Sequence, residues 1–255
     1  MPINARFDRT FPTLEENLAF DEALLLSAEA GESSESLRFW EYPSSAIVLG
    51  AGGSLVLDVH EAKCIADGVL IQRRPSGGGT VLLGRGCLLF SLVLAYDRTP
   101  ALREVNSSYR WILGRVCEAL MPIANVELAG ISDLAIAGRK VSGNAQQRKA
   151  KHLLHHGTLL YDFDLPLIGK YLNTPEREPA YRTGRGHDTF VQNLPLDGER
   201  LKSLIATAFA AEMAEIPPAV IERVPSLIAE RYGREDWVRP VSYTHLRAHE
   251  TKANL

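Results

Sequence analysis

The densest cluster of chemically useful residues is RRPSGGGT, residues 73–80. Three consecutive glycines strip the side chains from a loop. Backbone N–H groups can then converge on an anion, and a ligand can lie against the main chain. Arg73 and Arg74 precede the loop on a predicted strand and so point to opposite faces; only one of them can share a pocket with the loop. A tri-glycine run alone also suits a hairpin tip beside a solvated arginine, and the flanking strands, the arginines and Ser76 narrow that gap without closing it. The segment is not a Walker A loop, since G-x-x-x-x-G-K-[ST] does not occur, and no G-x-G-x-x-G opens a helix here.

A second cluster is SDLAIAGRKVSGNAQQR, residues 132–148. Ala137-Gly138 reads as a hairpin turn, which sets Lys140 on a strand near the small residues Ser142 and Gly143, with Asp133 across the hairpin. An ammonium fixed in this way can neutralise a phosphate or a carboxylate. An exposed lysine beside a turn and a strand-end aspartate bonded to backbone are the plainer readings. The third cluster is HHGTLL, residues 155–160. Adjacent histidines on a strand face opposite sides and cannot chelate one metal together. His249-Glu250 lacks a second histidine four residues on, so no metal site is expected. Of the three cysteines, Cys87 precedes a long apolar run with no histidine near it in sequence, and Cys64 and Cys117 fall on predicted helices; all three read as core.

These clusters need strands to hold them. Thr13 and Glu16 form a capping box for a helix running to about residue 29. Residues 37–42 and 46–50 read as strands joined at Pro43-Ser44-Ser45, and 58–68 as a short helix. Strands 69–74 and 80–83 flank the glycine loop, and CLLFSLVLAY (87–96) is a strand buried on both faces. A helix is predicted over 101–121, strands over 133–136, 139–143 and 153–163, and helices near 164–172, 197–215 and 219–232. Strands and helices interleave without strict alternation. The expected architecture is one α+β domain over residues 1–240, with a large mixed or antiparallel sheet flanked by helices. The tail, VSYTHLRAHETKANL (241–255), has no apolar periodicity; it reads as disordered or as appended sequence and stands outside the fold argument.

Composition narrows the functional classes. The chain has 255 residues, 45% apolar and 23% charged, and a net charge of −3, which disfavours a nucleic-acid binder. No apolar run is long enough to span a membrane, and the N-terminus carries no secretory h-region. Three widely spaced cysteines without a CxxC argue against a disulfide framework and make a reducing cytoplasm the expected setting.

Taken together, RRPSGGGTV (73–81), SDLAIAGRKVSGNAQ (132–146) and HHGTLL (155–160) resemble the lipoate-protein ligase A family, within the biotin/lipoate protein ligase superfamily. YRTGRGHDTFVQNL (181–194) and ERYGREDW (230–237) are looser matches, and the likeness spans about residues 8–238. The resemblance implies the fold of class II aminoacyl-tRNA synthetase and biotin synthetase catalytic domains. It implies a two-step reaction: lipoate, or octanoate, and ATP with Mg²⁺ give an acyl-adenylate and pyrophosphate. A lysine of an acceptor lipoyl domain (2-oxoacid dehydrogenase E2 or glycine-cleavage H protein) then takes the acyl group and releases AMP.

Carried onto this sequence, the resemblance makes Lys140 the bridge between carboxylate and α-phosphate, and gives Asp133 the ribose, the Mg²⁺ or the incoming amine. Arg74, Ser76, Gly77, Gly78 and Gly79 would hold the adenylate. Ser142, Gly143 and Ala145, with His156, Gly157 and Thr158, would line the acyl or adenylate pocket. There are departures. VLLGRG (81–86) lacks the histidine many relatives carry after the glycine loop, and Ser132 stands where some have asparagine. The chain also ends too soon for the small C-terminal domain of the longer ligases, so a separate accessory protein is expected or half of the reaction is done. The alternatives are an ATP-independent octanoyltransferase or lipoyl amidotransferase, whose cysteine would precede the lysine hairpin or the HG pair, where GISD (130–133) and KHLLHHG (151–157) have none, or a non-catalytic lipoyl-domain-binding paralogue. A biotin ligase would carry a G-R-G-R-x-G-R-type loop in place of RRPSGGG.

Overall fold

The computed structural model describes residue 3 and residues 5–239; the 241–255 tail lies outside the described residues. Among the described residues, ten strands form two sheets. β1 (Arg6–Asp8), β2 (Ser36–Trp40), β6 (Cys87–Ala95), β7 (Glu127–Ala129), β8 (Asp133–Ile136), β9 (Arg139–Arg148) and β10 (His152–Leu160) make the larger sheet, in the order β1-β2-β6-β10-β9-β8-β7. It is antiparallel except for the β1–β2 pair, so the expected large mixed sheet is present. β3 (Ala46–Leu49), β4 (Leu70–Arg73) and β5 (Val81–Leu83) form a separate small sheet, ordered β4-β3-β5. This small sheet is an addition to the expected large one. The Pro43-Ser44-Ser45 corner carries the chain out of the large sheet, and the strands around the glycine loop pair with β3 instead.

Helices cover both faces of the large sheet. α1 (Leu14–Glu29) begins at the expected capping box: Glu16 N donates to Thr13 Oγ1 at 3.2 Å and Thr13 N to Glu16 Oε2 at 3.0 Å. It packs one face together with the small sheet and helix Pro218–Leu227. On the other face lie α4 (Val105–Leu120) and helix Gly198–Ala208. A central strand such as β6, buried over Cys87–Leu94, is apolar on both sides for this reason.

Several boundaries differ from expectation. The 58–68 helix is two short pieces, α2 (Leu55–Asp58) and α3 (Glu61–Ala66), broken where Val59 bridges to Leu172. The 197–215 helix stops at Ala208, because Ala210 turns to φ +48° and the chain returns to the sheet edge, where Met213 bridges Arg6. The 219–232 helix changes after Leu227 into a π-helical turn over Ile228–Tyr232. β1 and β7, each three residues long, carry too little pattern to be read.

Candidate active site

A cavity of about 160 Å³ opens where the small sheet, the glycine loop and α1 meet β9 and β10. Its apolar lining includes Leu18, Trp40, Val48, Val81, Leu83, Leu89 and Leu154. Lys140, Asp133 and the glycine loop share the wall with Asp21, Glu22, Gln147 and Tyr232.

Arg74 builds the loop from within. Its buried guanidinium donates to Val48 O (3.1 Å), Gly77 O (2.8 Å) and Gly79 O (2.8 Å), and its Nε donates to Ser76 Oγ (3.0 Å). A trans peptide points its N–H opposite its C=O. Tying the carbonyls of Gly77 and Gly79 to Arg74 therefore turns the amides of Gly78 and Thr80 away from it, and loop N–H groups turned this way can serve as donors to an anion. Gly78 sits at φ +86°, where an L side chain is strained, and a Cβ on Gly50 would lie 2.1 Å from Gly78 O. Burial pushes the Arg74 pKa down to about 10, so it remains a cation at neutral pH. Arg73 points elsewhere, as strand alternation requires. It binds the carbonyls of Gly50, Ala51 and Gly53 and those of Trp237 and Val238.

The lysine hairpin supplies the opposite wall. Asp133 pairs with Gly143 in register, yet Ala135 pairs with Lys140, so β9 carries one extra residue, Val141. Strict alternation from Gly143 and Ala145 would turn Lys140 to the far side of the sheet. The bulge brings it back to the cavity face and sends Val141 into the α4 core. Lys140 Nζ then lies 2.8 Å from Asp133 Oδ1. Asp133 Oδ2 accepts a hydrogen bond from the Tyr181 hydroxyl, also at 2.8 Å.

The two histidines part as predicted. His156 faces the cavity with Nε2 2.7 Å from Ser76 Oγ. Burial and the nearby Arg74 cation hold it neutral, well below the usual histidine range. His155 faces the other way, between Phe90 and Tyr109, and burial lowers its pKa to about 3.

Of the predicted residues, Arg74, Ser76, Gly78, Gly79, Asp133, Lys140, Gly143, Ala145, His156, Gly157 and Thr158 meet at the cavity. Gly77 is exposed outside it and Ser142 is buried away from it, its hydroxyl accepting from Asn144 Nδ2. Cys64, Cys87 and Cys117 are free, buried, and absent from the cavity wall. Burial raises the Cys87 thiol pKa, which disfavours a thiolate.

Sequence reasoning missed Asp21, Glu22 and Tyr181. The acids did leave a signal, two charges inside the apolar run NLAFDEALLL (17–26). Each is paired: Asp21 with Arg38 (2.7 Å) and Ser91 (2.7 Å), Glu22 with Tyr232 (2.7 Å) and Arg231. Among the described residues, no three His, Cys, Asp or Glu side chains form a metal-holding group. Nor is any described helix long and apolar enough to cross a membrane.

The fold and this wall of glycine loop, lysine hairpin and histidine strand define a family. The family model described as lipoyl protein ligase A/B catalytic domain matches residues 13–208, and the chain belongs to that family. A probable lipoate-protein ligase A of Mycoplasma pneumoniae is 29% identical over 231 residues, covering 87% of this chain and 67% of that protein. The octanoyltransferase LipM of Symbiobacterium thermophilum is 27% identical over 258 residues, covering 87% of this chain and 93% of that protein. In the structure of the bipartite lipoate protein ligase and its E2 lipoyl domain from Thermoplasma acidophilum, the matching chain superposes with a TM-score of 0.80 at 20% identity. The match covers 93% of this chain and 96% of that one. It bears out the expected class II synthetase-like fold. Both ligases and octanoyltransferases occur among the relatives, so the family is one of lipoyl-group enzymes.

Proposed function

We propose that this chain is an ATP-dependent lipoate-protein ligase that activates lipoate or octanoate to an acyl-adenylate and transfers the acyl group to a lysine of an acceptor lipoyl domain, of an E2 or H protein. The observation that carries this reading is what the cavity offers: a fixed ammonium and a glycine cradle, with no cysteine on the wall. In the first step a carboxylate oxygen attacks the α-phosphorus, the O–P bond forms and pyrophosphate leaves. Two anions must approach, so charge has to be cancelled before the bond forms. Lys140, moving from Asp133 to the reacting oxygens, provides that charge, while the loop amides hold phosphate oxygen. In the second step the acceptor amine attacks the acyl carbon and AMP departs. The apolar lining of the cavity takes the chain, at about 0.8 kcal/mol per buried CH₂. Mg²⁺ enters as the nucleotide's counter-ion. Three free thiols support a reducing, cytoplasmic setting.

ATP–pyrophosphate exchange by the purified chain, with and without octanoate or lipoate, tests this. Acid-dependent exchange is expected. The second reading, an ATP-independent octanoyltransferase, is favoured by the likeness to the Symbiobacterium protein along nearly its whole length. It requires a nucleophile, which the Ser76–His156 pair would have to supply. Acyl transfer from an octanoyl carrier without ATP, in the absence of exchange, would favour that reading.

A further inference from the structure

Asp133 has two partners, and only one of them can stay through the reaction. Its side chain is largely buried, with Oδ1 on Lys140 Nζ and Oδ2 on the Tyr181 hydroxyl, both at 2.8 Å. On the reading above, Lys140 must leave Asp133 to meet the incoming carboxylate and phosphate. A buried carboxylate stripped of its cation is costly unless another donor remains. Tyr181 is built to remain. Its ring packs on Phe190, 5.2 Å between centroids, and abuts Gly130 in the turn before Asp133. Arg185 ties the Tyr181 carbonyl (2.6 Å) and the Gly138 carbonyl (2.9 Å) together, locking the tyrosine's loop onto the turn that carries Lys140. Burial and the facing carboxylate raise the phenol's pKa, so it stays a donor across the working pH range.

We infer that Tyr181 is a positioning residue: by keeping a hydrogen bond on Asp133 it weakens the aspartate's hold on Lys140 and lets the lysine transfer to the substrate anions. The role rests on the ligase reading for its purpose. The Tyr181–Asp133–Lys140 coupling does not, and it can be measured apart from activity.

The test is the rate at which an amine-selective anhydride labels Lys140, read by peptide mass spectrometry in the full chain. Tyr181→Phe leaves Lys140 as the sole side-chain partner of Asp133, so labelling should slow by about fivefold, within the net worth of an intramolecular hydrogen bond. In an Asp133→Ala background the same change should do nothing, because the hydroxyl has nothing to hold. Where the wild type exchanges pyrophosphate, Tyr181→Phe should raise KM for the acid more than it lowers kcat. Unchanged labelling in Tyr181→Phe, or an equal effect with and without Asp133, would overturn the coupling. If the wild type shows no acid-dependent exchange, the ligase reading falls and takes the proposed purpose with it, while the labelling series still decides the coupling itself.

Discussion

Adding one methyl group at Gly143 should damage catalysis while sparing the fold. A Cβ placed on Gly143 would lie 2.8 Å from Lys140 Nζ and 2.9 Å from its Cε, but 3.7 Å from Asp133 Oδ1. Ordinary contact begins near 3.4 Å, so the carboxylate can stay and the lysine tip must retreat by roughly 0.6 Å or more. The obstructed atoms are the far end of a flexible side chain, and the glycine has no left-handed φ to lose. Stability should therefore hold or rise, since replacing glycine removes about 0.4–1 kcal/mol of unfolded-state entropy. Catalysis depends on where the ammonium sits, and a misplacement of about 1 Å can cost on the order of 10²-fold. We expect Gly143→Ala to lower ATP–pyrophosphate exchange by about 10- to 100-fold with an unchanged or raised melting temperature. Gly52→Ala, where nothing lies within 4 Å of the new methyl, is the control: it should match the wild type in exchange and show the same unchanged or raised melting temperature. Exchange within twofold of wild type in Gly143→Ala would refute the assignment of Lys140 Nζ to the reacting oxygens.

Lys140→Ala should cut exchange by at least about 10²-fold, the cost of losing one preorganised charge-stabilising group, and near-normal turnover would sink the central assignment. Arg74→Met should lower stability to urea by about 3 kcal/mol, since it unpairs buried Val48 O and frees the loop carbonyls; an unchanged midpoint would mean the loop holds itself. Replacing Cys64, Cys87 and Cys117 together by alanine should keep exchange and acyl transfer within about twofold despite some lost packing, and abolished transfer in a folded variant would revive a cysteine mechanism. The pH dependence of stability has a definite sign. His155 and His156 resist protonation in the fold, so the unfolded chain binds more protons below the ordinary histidine range, and stability falls as pH drops. Between pH 6 and 5 the loss should be about 2 kcal/mol from the pair, and a flat urea midpoint over that interval would contradict the burial of neutral imidazoles.

Local signals carried much of this site. The Ala137-Gly138 turn, at φ +48° and +70°, sets Asp133 opposite the Lys140 strand, so their meeting could be read from the hairpin alone. The parting of His155 from His156 and of Arg73 from Arg74 followed from strand alternation. What alternation could not reveal was its own violation. Nothing in GRKVSG marks Val141 as a bulge, since that depends on how β8 pairs, and without the bulge Lys140 would share the face of Ser142. The division into two sheets was hidden for the same reason, because strand pairing is non-local. Tyr181 escaped because its loop, residues 174–186, has no periodicity to show which way a side chain turns.

The role expected of Arg74 changes once its hydrogen bonds are followed. A guanidinium has five N–H groups, and four are already spent on Val48, Ser76, Gly77 and Gly79. It cannot clasp a phosphate with its fork and keep the loop in shape. The arginine therefore acts through the loop: its charge lies behind the glycines, and its donors take their carbonyls. Lysine, a point charge on a flexible stem, could supply the charge but not the fork that holds two carbonyls at once. Arg73 does the equivalent for residues 50–53, whose Gly50 fits beneath Gly78 only because it has no side chain. Two adjacent arginines facing opposite ways thus shape two glycine-rich segments against each other. On the proposed reading, direct contact with the reacting anions is left to Lys140, which lies with its partner Asp133 on the cavity wall.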